Sequence, residues 1–132
     1  MSLRYLGDSD WAIHWANGNP DIVARLTELR PAGLGVSMLS LAELYEGIYY
    51  STDPAGNEHA LSDFLRVVSV VGLDLETCQW FARERGRLRA AKKLLGDMDL
   101  LIGATALRHD LTLLTNNRRH FELIEGLRIE SQ

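Results

Sequence analysis

Hydrophobic residues follow two patterns along this chain: short apolar runs, and longer stretches in which apolar residues recur every three or four positions. The short runs predict strands and the longer stretches predict amphipathic helices. Strands are expected at residues 3–7, 35–38, 67–73, 111–114 and 127–129. Helices are expected at residues 11–16, 21–29, 40–50, 58–66, 74–94 and 97–109, with a polar loop at 51–57 and a short turn or helix at 118–124. Strands separated by helices favour an α/β fold in which a parallel sheet carries helices on both faces.

The composition is that of an ordinary globular protein. The 132 residues fit one domain, expected to span residues 1–132, with 46% hydrophobic and 24% charged side chains. The net charge of −4 argues against broad, non-specific binding to nucleic acid, for which a basic surface is expected. Cys78 is the only cysteine, so it cannot form an internal disulfide, and its amphipathic surroundings predict a position in or near the core.

The sequence contains no signal for membrane insertion or export. No apolar run approaches the ~20 residues of a membrane-spanning helix. No charged segment followed by an apolar stretch and a cleavage site opens the chain. The expected location is therefore the cytoplasm.

Acidic side chains occur where the predicted sheet would carry a functional site. Asp8 follows the first strand, and Glu43 lies in the first turn of the helix after the second strand. Asp97 and Asp99 open the helix at residue 97, and Asn117 follows the fourth strand. Because the carboxyl ends of parallel strands meet at one edge of a sheet, we expect these groups to lie close together.

Helix capping is the alternative interpretation of two of these acids. Asp10 is the better cap for the helix at residue 11, which leaves Asp8 pointing toward the crevice. Ser40 and Glu43 have the spacing of a capping box, in which the glutamate folds back onto the serine amide. Glu43 therefore has a structural interpretation beside its functional one.

Asp97 and Asp99 compete for a single capping position. If Asp97 takes it, Asp99 stands near a buried wall, where a bound cation would compensate its charge. Carboxylates suit Mg²⁺ or Mn²⁺, and the amide of Asn117 could add a ligand, although turn chemistry explains an asparagine there equally well. Such an ion lowers the pKa of bound water, orients it for attack and neutralises charge on phosphorus.

Other catalytic signatures are absent from the sequence. His14, His59, His109 and His120 do not have zinc-ligand spacing, and there is no nucleophile-elbow motif or phosphate-binding glycine-rich loop. The residues therefore favour a small metal-dependent ribonuclease.

Basic residues are concentrated just before the helix at residue 97. Arg85, Arg89 and Lys92 fall on one broad face of the predicted helix 74–94, and Arg118 lies beside Asn117. A solvated helix face is the commoner meaning of such a pattern. A guide for substrate phosphates is the functional alternative.

Four segments together resemble the PIN-domain family, in particular its VapC-type toxins of prokaryotic toxin–antitoxin pairs. They are residues 5–10 (YLGDSD), 40–47 (SLAELYEG), 96–106 (GDMDLLIGATA) and 113–121 (LLTNNRRHF). They occur in order over nearly the whole chain, and the third and fourth are specific in combination.

The resemblance implies a three-layer α/β/α sandwich with a mostly parallel sheet of about five strands, and a Mg²⁺- or Mn²⁺-dependent endoribonuclease. The metal ligands of the family carry over to Asp8, Glu43 and Asp99, with Asp97 as an auxiliary acid. The fourth acidic position of many members falls on Asn117, which weakens the case for a second metal ion. The resemblance also implies a homodimer inhibited by a VapB-type antitoxin, and a pI near 5.5 suits a basic inhibitor.

Two other functions fit parts of the sequence. Asn117 is compatible with a degenerate PIN module that binds RNA or a protein without catalysis. The pairs Asp8/Asp10 and Asp97/Asp99 superficially suggest a haloacid-dehalogenase-like phosphatase, for which the chain is short.

Overall fold

The structure is a computed structural model that describes residues 2–132. Five strands and seven α-helices follow one another along this part of the chain. The strands are β1 (Tyr5–Gly7), β2 (Leu34–Ser37), β3 (Ser69–Val71), β4 (Thr112–Leu114) and β5 (Ile129–Glu130). The helices are α1 (Ser9–Ala16), α2 (Pro20–Leu29), α3 (Met38–Tyr49), α4 (Pro54–Leu65), α5 (Leu75–Ala90), α6 (Asp97–Arg108) and α7 (Arg118–Phe121).

All five strands are parallel and lie in one sheet in the order β3-β2-β1-β4-β5. The central strand is β1, and its last residue, Gly7, aligns with Val36 of β2 and Leu114 of β4. Residues that follow β1, β2 and β4 therefore meet at the same edge of the sheet. This topology confirms the predicted α/β fold with a parallel sheet.

Helices cover both faces of the sheet, and each face has its own apolar core. One core contains residues of α1–α4 together with residues of β2 and β4: Trp11, Ile22, Leu26, Leu44, Phe64, Val36 and Leu114. The other contains residues of α5–α7 together with residues of β1 and β4: Leu88, Leu100, Ile102, Phe121, Leu6 and Leu113. Leu113 and Leu114 enter opposite cores because successive strand side chains point to opposite faces. The result is the three-layer arrangement expected from the resemblance.

Helix α4 and strand β3 differ from their predicted bounds for local reasons. Helix α4 begins inside the predicted polar loop, because Asp53 accepts a hydrogen bond from the Gly56 N–H at 3.1 Å and Pro54 suits the first helical position. Strand β3 is shorter than predicted because Val67 and Val68 still belong to the turn after α4.

Helix α5 ends earlier than predicted and exposes its cysteine. It stops at Ala90, and Lys92 then adopts a φ of 57°, a left-handed conformation that ends the helix. The buried face of α5 passes through Thr77, Glu84 and Leu88, so Cys78, one position further round the helix, is exposed rather than near the core. Among residues 2–132, no helix is both long enough and apolar enough to cross a bilayer.

Candidate active site

Asp8 lies at the centre of the edge where the strands end. It directly follows β1, and its N–H donates to the carbonyl oxygen of Leu114 in the neighbouring strand β4 at 2.9 Å. Its side chain is buried, with Oδ1 accepting from the Ser9 N–H at 2.8 Å and Oδ2 accepting from the Thr115 hydroxyl at 2.9 Å. Both oxygens are therefore held in place by the first residues after β1 and β4.

The structure corrects the expectation that Asp10 rather than Asp8 caps α1. The helix begins at Ser9, so Asp8 occupies the capping position and binds the Ser9 amide. Asp10 lies in the first turn and accepts from the N–H groups of Trp11 and Asn116, at 2.8 and 2.9 Å. Asp10 thus ties α1 to the loop after β4.

Glu43 projects from the second turn of α3, and the capping-box interpretation is wrong. The helix begins at Met38, directly after β2, and Ser37 caps it by accepting from the Ser40 N–H at 3.0 Å. Ser40 is therefore already inside the helix, and Glu43 lies beyond reach of the unpaired amides of the first turn. Glu43 has no capping role in this structure.

Asp97 and Asp99 both lie in the first turn of α6, and neither caps it. Gly96 occupies the capping position without a side-chain hydrogen bond. Asp97 is exposed and pairs with Arg85, with 2.6 Å between Oδ1 and Nη2. Asp99 is mostly buried, and its Oδ2 lies 3.1 Å from Nδ1 of His120. The two acids therefore face different neighbours, α5 for Asp97 and α7 for Asp99.

The charges of the three family-implied ligands act on one another. Burial raises the pKa of Asp8 to about 6, with the charges of Asp10 and Asp99 adding to the effect and the Ser9 and Thr115 hydrogen bonds opposing it. Burial also raises the pKa of Glu43, again with help from the Asp99 charge, while the Ser9 side chain opposes it. Asp8, Glu43 and Asp99 thus share one electrostatic environment with excess negative charge.

A divalent cation fits this donor set. Within residues 2–132, neither Asp8 nor Glu43 forms an ion pair, and Asp99 pairs only with the His120 ring. Uncompensated carboxylate oxygens are the donors that Mg²⁺ and Mn²⁺ prefer. No three His, Cys, Asp or Glu side chains in the described chain already stand in ligand positions, so binding would also require rotamer changes.

The remaining predicted residues surround this cluster in different ways. Asn117 is half-buried after β4, with its Nδ2 3.0 Å from Nδ1 of His120. Arg118 starts α7 and binds Glu122, Ser131 and the carbonyl oxygen of Ile129.

The predicted basic face on α5 divides into fixed and free cations. Arg85 is fixed by Asp97 and by the carbonyl oxygen of Leu95, which accepts from Nη1 at 2.8 Å. Arg89 and Lys92 are exposed, and neither belongs to an ion pair among residues 2–132. The free cations therefore lie at the carboxyl end of α5, close to the start of α6.

Two contributors to the site were not among the predicted residues. The buried Thr115 hydroxyl binds Asp8, and Nδ1 of His120 lies within hydrogen-bond distance of both Asp99 and Asn117. This nitrogen can donate to the Asp99 carboxylate or accept from the Asn117 amide, but not both at once. Thr115 and His120 both lie in the LLTNNRRHF segment, and the resemblance of that segment to the PIN-domain family is the sequence feature that could have pointed to them. Their roles depend on tertiary contacts 107 and 21 residues apart in sequence, so spacing alone could not reveal them.

An apolar groove adjoins the acids between α1, α3 and α4. This groove has a volume of about 300 Å³. It is lined by Ala12, Ile13, Ala16, Asn17, Glu43, Leu44, Gly47, Ile48, Asn57 and Leu61. Glu43 is its only acidic lining residue, so one wall carries a charge that belongs to the candidate active site.

The chain matches a known protein family over most of its length. Residues 8–127 match the sequence model of the family described as PIN domain. The chain therefore belongs to the PIN-domain family, whose ribonucleases are generally metal-dependent.

Relatives that align over nearly the whole chain are VapC-type members of this family. The chain is 30% identical over 130 residues to the protein named Ribonuclease VapC2 of Haemophilus influenzae, and the match covers 98% of each chain. It is 27% identical over 128 residues to the tRNA(fMet)-specific endonuclease VapC of Salmonella typhimurium, covering 97% of each. A solved structure of VapBC2 from Rickettsia felis bound to a promoter DNA fragment superposes with a TM-score of 0.92 at 26% identity, covering 98% of this chain and 99% of that one. These matches confirm the resemblance to VapC-type proteins and the prediction of a ribonuclease.

Proposed function

We propose that this protein is the ribonuclease toxin of a toxin–antitoxin pair and that Asp8, Glu43 and Asp99 hold Mg²⁺, or Mn²⁺ in its place. The observation that carries the proposal is the shared, uncompensated negative charge of these acids at the edge where the parallel strands end. A bound ion of this kind supplies Lewis-acid activation of water and neutralisation of charge at the phosphodiester.

The protein's own side chains have five tasks in this proposal. Thr115 and Ser9 orient the Asp8 carboxylate, which must be ionised to act as a ligand. His120 holds Asp99 when its Nδ1 donates to that carboxylate, Asn117 positions water or ligands at the same edge of the sheet, and Asp97, fixed by Arg85, keeps the start of α6 in place. Arg89, Lys92 and Arg118 contact phosphates that flank the cut, although Arg118 would first have to release some of its protein contacts.

RNA is the proposed substrate, and structured tRNA is the first class to test. The Salmonella relative is named as a tRNA-specific endonuclease and aligns over nearly the whole chain. With a net charge of −4, the protein would bind RNA through a few local cations rather than a broad basic surface. Its site of action is then the cytoplasm, where tRNA is found.

A VapB-type antitoxin is the proposed inhibitor, and the apolar groove is its proposed docking site. The similar solved structure from Rickettsia felis is that of VapBC2 bound to promoter DNA. The groove offers apolar walls and one carboxylate, so it suits a segment with an apolar face and a basic residue directed at Glu43.

A homodimer is proposed on the exposed apolar face of α3. Met38, Tyr45 and Tyr49 are spaced seven and four residues apart, which places them on one face of the helix, and each is at least 44% exposed. Sedimentation of the wild type beside Tyr49→Ser tests this assembly, and a monomeric wild type would contradict it.

Cleavage of purified total tRNA tests the catalytic proposal. The protein, freed of any bound inhibitor, is incubated with Mg²⁺ or Mn²⁺, or with EDTA, beside Asp99→Asn and Asp21→Asn. We expect discrete fragments from the wild type and from Asp21→Asn, whose acid lies on the exposed start of α2, and none with EDTA or Asp99→Asn. Metal binding by calorimetry without RNA cleavage would favour the degenerate PIN module. Phosphomonoester turnover without RNA cleavage would favour the phosphatase.

A further inference from the structure

A second cavity opens beside the acid cluster, between the end of α5 and the start of α7. It has a volume of about 300 Å³ and is lined by Leu94, Leu95, Gly96 and His120. His120 connects it to the acids, because its Nδ1 lies 3.1 Å from Oδ2 of Asp99. A part of the RNA bound in this cavity would therefore lie next to the phosphodiester that is cleaved at the acids.

The exposure of Leu94 is fixed by anchored residues on both sides. Before it, the N–H of Lys93 donates to the carbonyl oxygen of Leu88 at 2.9 Å, which closes the end of α5. After it, Leu95 is buried, and its carbonyl oxygen accepts from Arg85 at 2.8 Å. Leu94 itself is 93% exposed. The loop therefore holds an apolar side chain in solvent rather than leaving it there by fraying.

Single exposed leucines are common on protein surfaces, so the neighbours decide what this one means. The cavity combines the Leu94 side chain with the flat imidazole of His120, which is about half exposed. Lys92 and Lys93, just before Leu94, are exposed and belong to no ion pair among the described residues. An apolar and aromatic pocket whose wall is preceded in the chain by two exposed cations has the properties that bind an unpaired base and its flanking phosphates.

We propose that this cavity, which we call the base pocket, binds one unpaired nucleobase of the RNA beside the cleaved phosphodiester. Leu94 and His120 pack against the base, and Lys92 and Lys93 contact the adjoining phosphates. The inference rests on the proposed ribonuclease function and adds to it a residue, Leu94, that sets substrate preference without contacting the acids. A structured RNA would then be cut only where a base can leave its stack.

Binding in the absence of cleavage tests this separately from catalysis. The parent is Asp8→Asn, whose side chain does not line the base pocket, and Leu94→Ser is compared in that background with Leu75→Ser, a 75% exposed leucine at the start of α5. The probes are a fluorescent ten-nucleotide oligouridine and the same chain with abasic residues. We expect the parent to prefer the base-bearing RNA, and Leu94→Ser to lose that preference by about fivefold or more, with Leu75→Ser unchanged. Leu94→Phe should retain the preference.

The results that would contradict the base pocket differ from those that would contradict the ribonuclease function. Equal binding of both probes by the parent, or an unchanged preference in Leu94→Ser, would overturn the base pocket whether or not the wild type cleaves tRNA. If Leu94→Ser weakened binding of a co-purified inhibitor protein but not of oligouridine, the pocket would belong to a protein contact instead. In an active background, Leu94→Ser should raise KM for tRNA and shift the positions of the cuts while leaving the affinity for Mg²⁺ unchanged. A wild type that cleaves no RNA in the tRNA assay would overturn the proposed function without affecting the binding comparison.

Discussion

The Thr115 hydroxyl donates a hydrogen bond to Oδ2 of Asp8 at 2.9 Å, and both side chains are buried. The two residues directly follow adjacent strands, β1 and β4, which end in register at Gly7 and Leu114. The same hydroxyl oxygen accepts from the N–H of Asn117 at 3.0 Å. Thr115 therefore joins the central acid to the segment that also carries His120.

Thr115→Val should impair both the fold and the pH response of cleavage. The change keeps the shape but removes a donor to Asp8 and leaves the Asn117 amide unpaired, which should cost ~1–3 kcal/mol of unfolding free energy. Because the lost hydrogen bond lowers the pKa of Asp8, that pKa should rise further. Cleavage should then require a higher pH, which a pH profile of tRNA cleavage would detect.

Thr105→Val is the matched control for this change. Thr105 is also buried, but its hydroxyl donates only to the carbonyl oxygen of Leu101 in the same helix. We expect a comparable or smaller loss of stability and an unchanged pH profile. An identical pH profile for Thr115→Val and the wild type would contradict the role of Thr115 at Asp8.

Asp8→Asn should stabilise the metal-free protein at high pH. The pKa of Asp8 is raised from 3.8 to about 6 in the folded state, so folding favours its protonated form. The stability linked to this group is fully present below about 3.8 and is lost as the pH rises through about 6. Asparagine cannot ionise, so its advantage over the wild type should grow from pH 5 to pH 8, to at most about 3 kcal/mol.

Urea unfolding in EDTA at both pH values measures this advantage. Asp21→Asn removes one exposed negative charge and should show little change in its difference from the wild type. Adding Mg²⁺ at pH 8 should stabilise the wild type more than Asp8→Asn, because a ligand that binds the folded state raises its stability. A pH-independent difference between Asp8→Asn and the wild type would refute the raised pKa.

The sequence predicts the order of strands and helices and the ends of β1 and β4, because apolar periodicity records which face each element buries. The sequence pattern places the start of α3 at residue 40, whereas the helix begins at Met38, because of the residues at this junction. Ser37 ends β2 and also caps α3, so no loop separates strand from helix. The pattern around Ser40 and Glu43 imitates a cap three residues later, and only the backbone distinguishes the two.

The sequence does not predict the side-chain contacts between residues of different helices. Asp99 meets His120 and Asp97 meets Arg85 across 21 and 12 residues. The local sequence predicts a helix-capping role for Asp97 or Asp99, because the nearest unpaired groups along the chain are the amides of the first turn of α6. The packing of α5 and α7 around the start of α6 supplies other partners, and no periodicity encodes that choice.

Ile13→Ser should weaken antitoxin binding while leaving cleavage by the free protein intact. Ile13 lines the apolar groove and is 49% exposed, so the change removes apolar surface for a partner at little cost to the core. We expect about a tenfold loss of affinity in titration with the VapB-type antitoxin proposed as the inhibitor. Leu73→Ser, equally exposed but outside the groove, should bind normally. Normal binding by both variants would exclude the groove as the docking site.

Gly103→Ala should destabilise the fold although alanine favours helices. Gly103 is buried in α6, and an added methyl group would collide with the side chain of Ile124, which is itself 3% exposed and packed in the core beside Leu127. Moving Ile124 inside a close-packed core should cost ~1–3 kcal/mol, more than the ~0.5–1 kcal/mol that alanine gains over glycine in a helix.

Gly86→Ala in α5 separates these two effects, because an added methyl group there has no atom within 4 Å apart from its chain neighbours and the backbone of its own helix. It should therefore show the helix gain alone and raise the unfolding free energy, while Gly103→Ala lowers it. Urea unfolding of both variants measures the two signs directly. The start of α6 carries Asp97 and Asp99, so a displaced α6 should also reduce tRNA cleavage in Gly103→Ala. A stabilised Gly103→Ala would mean that Ile124 can move freely, and the close contact between α6 and Ile124 would then not constrain the position of these acids.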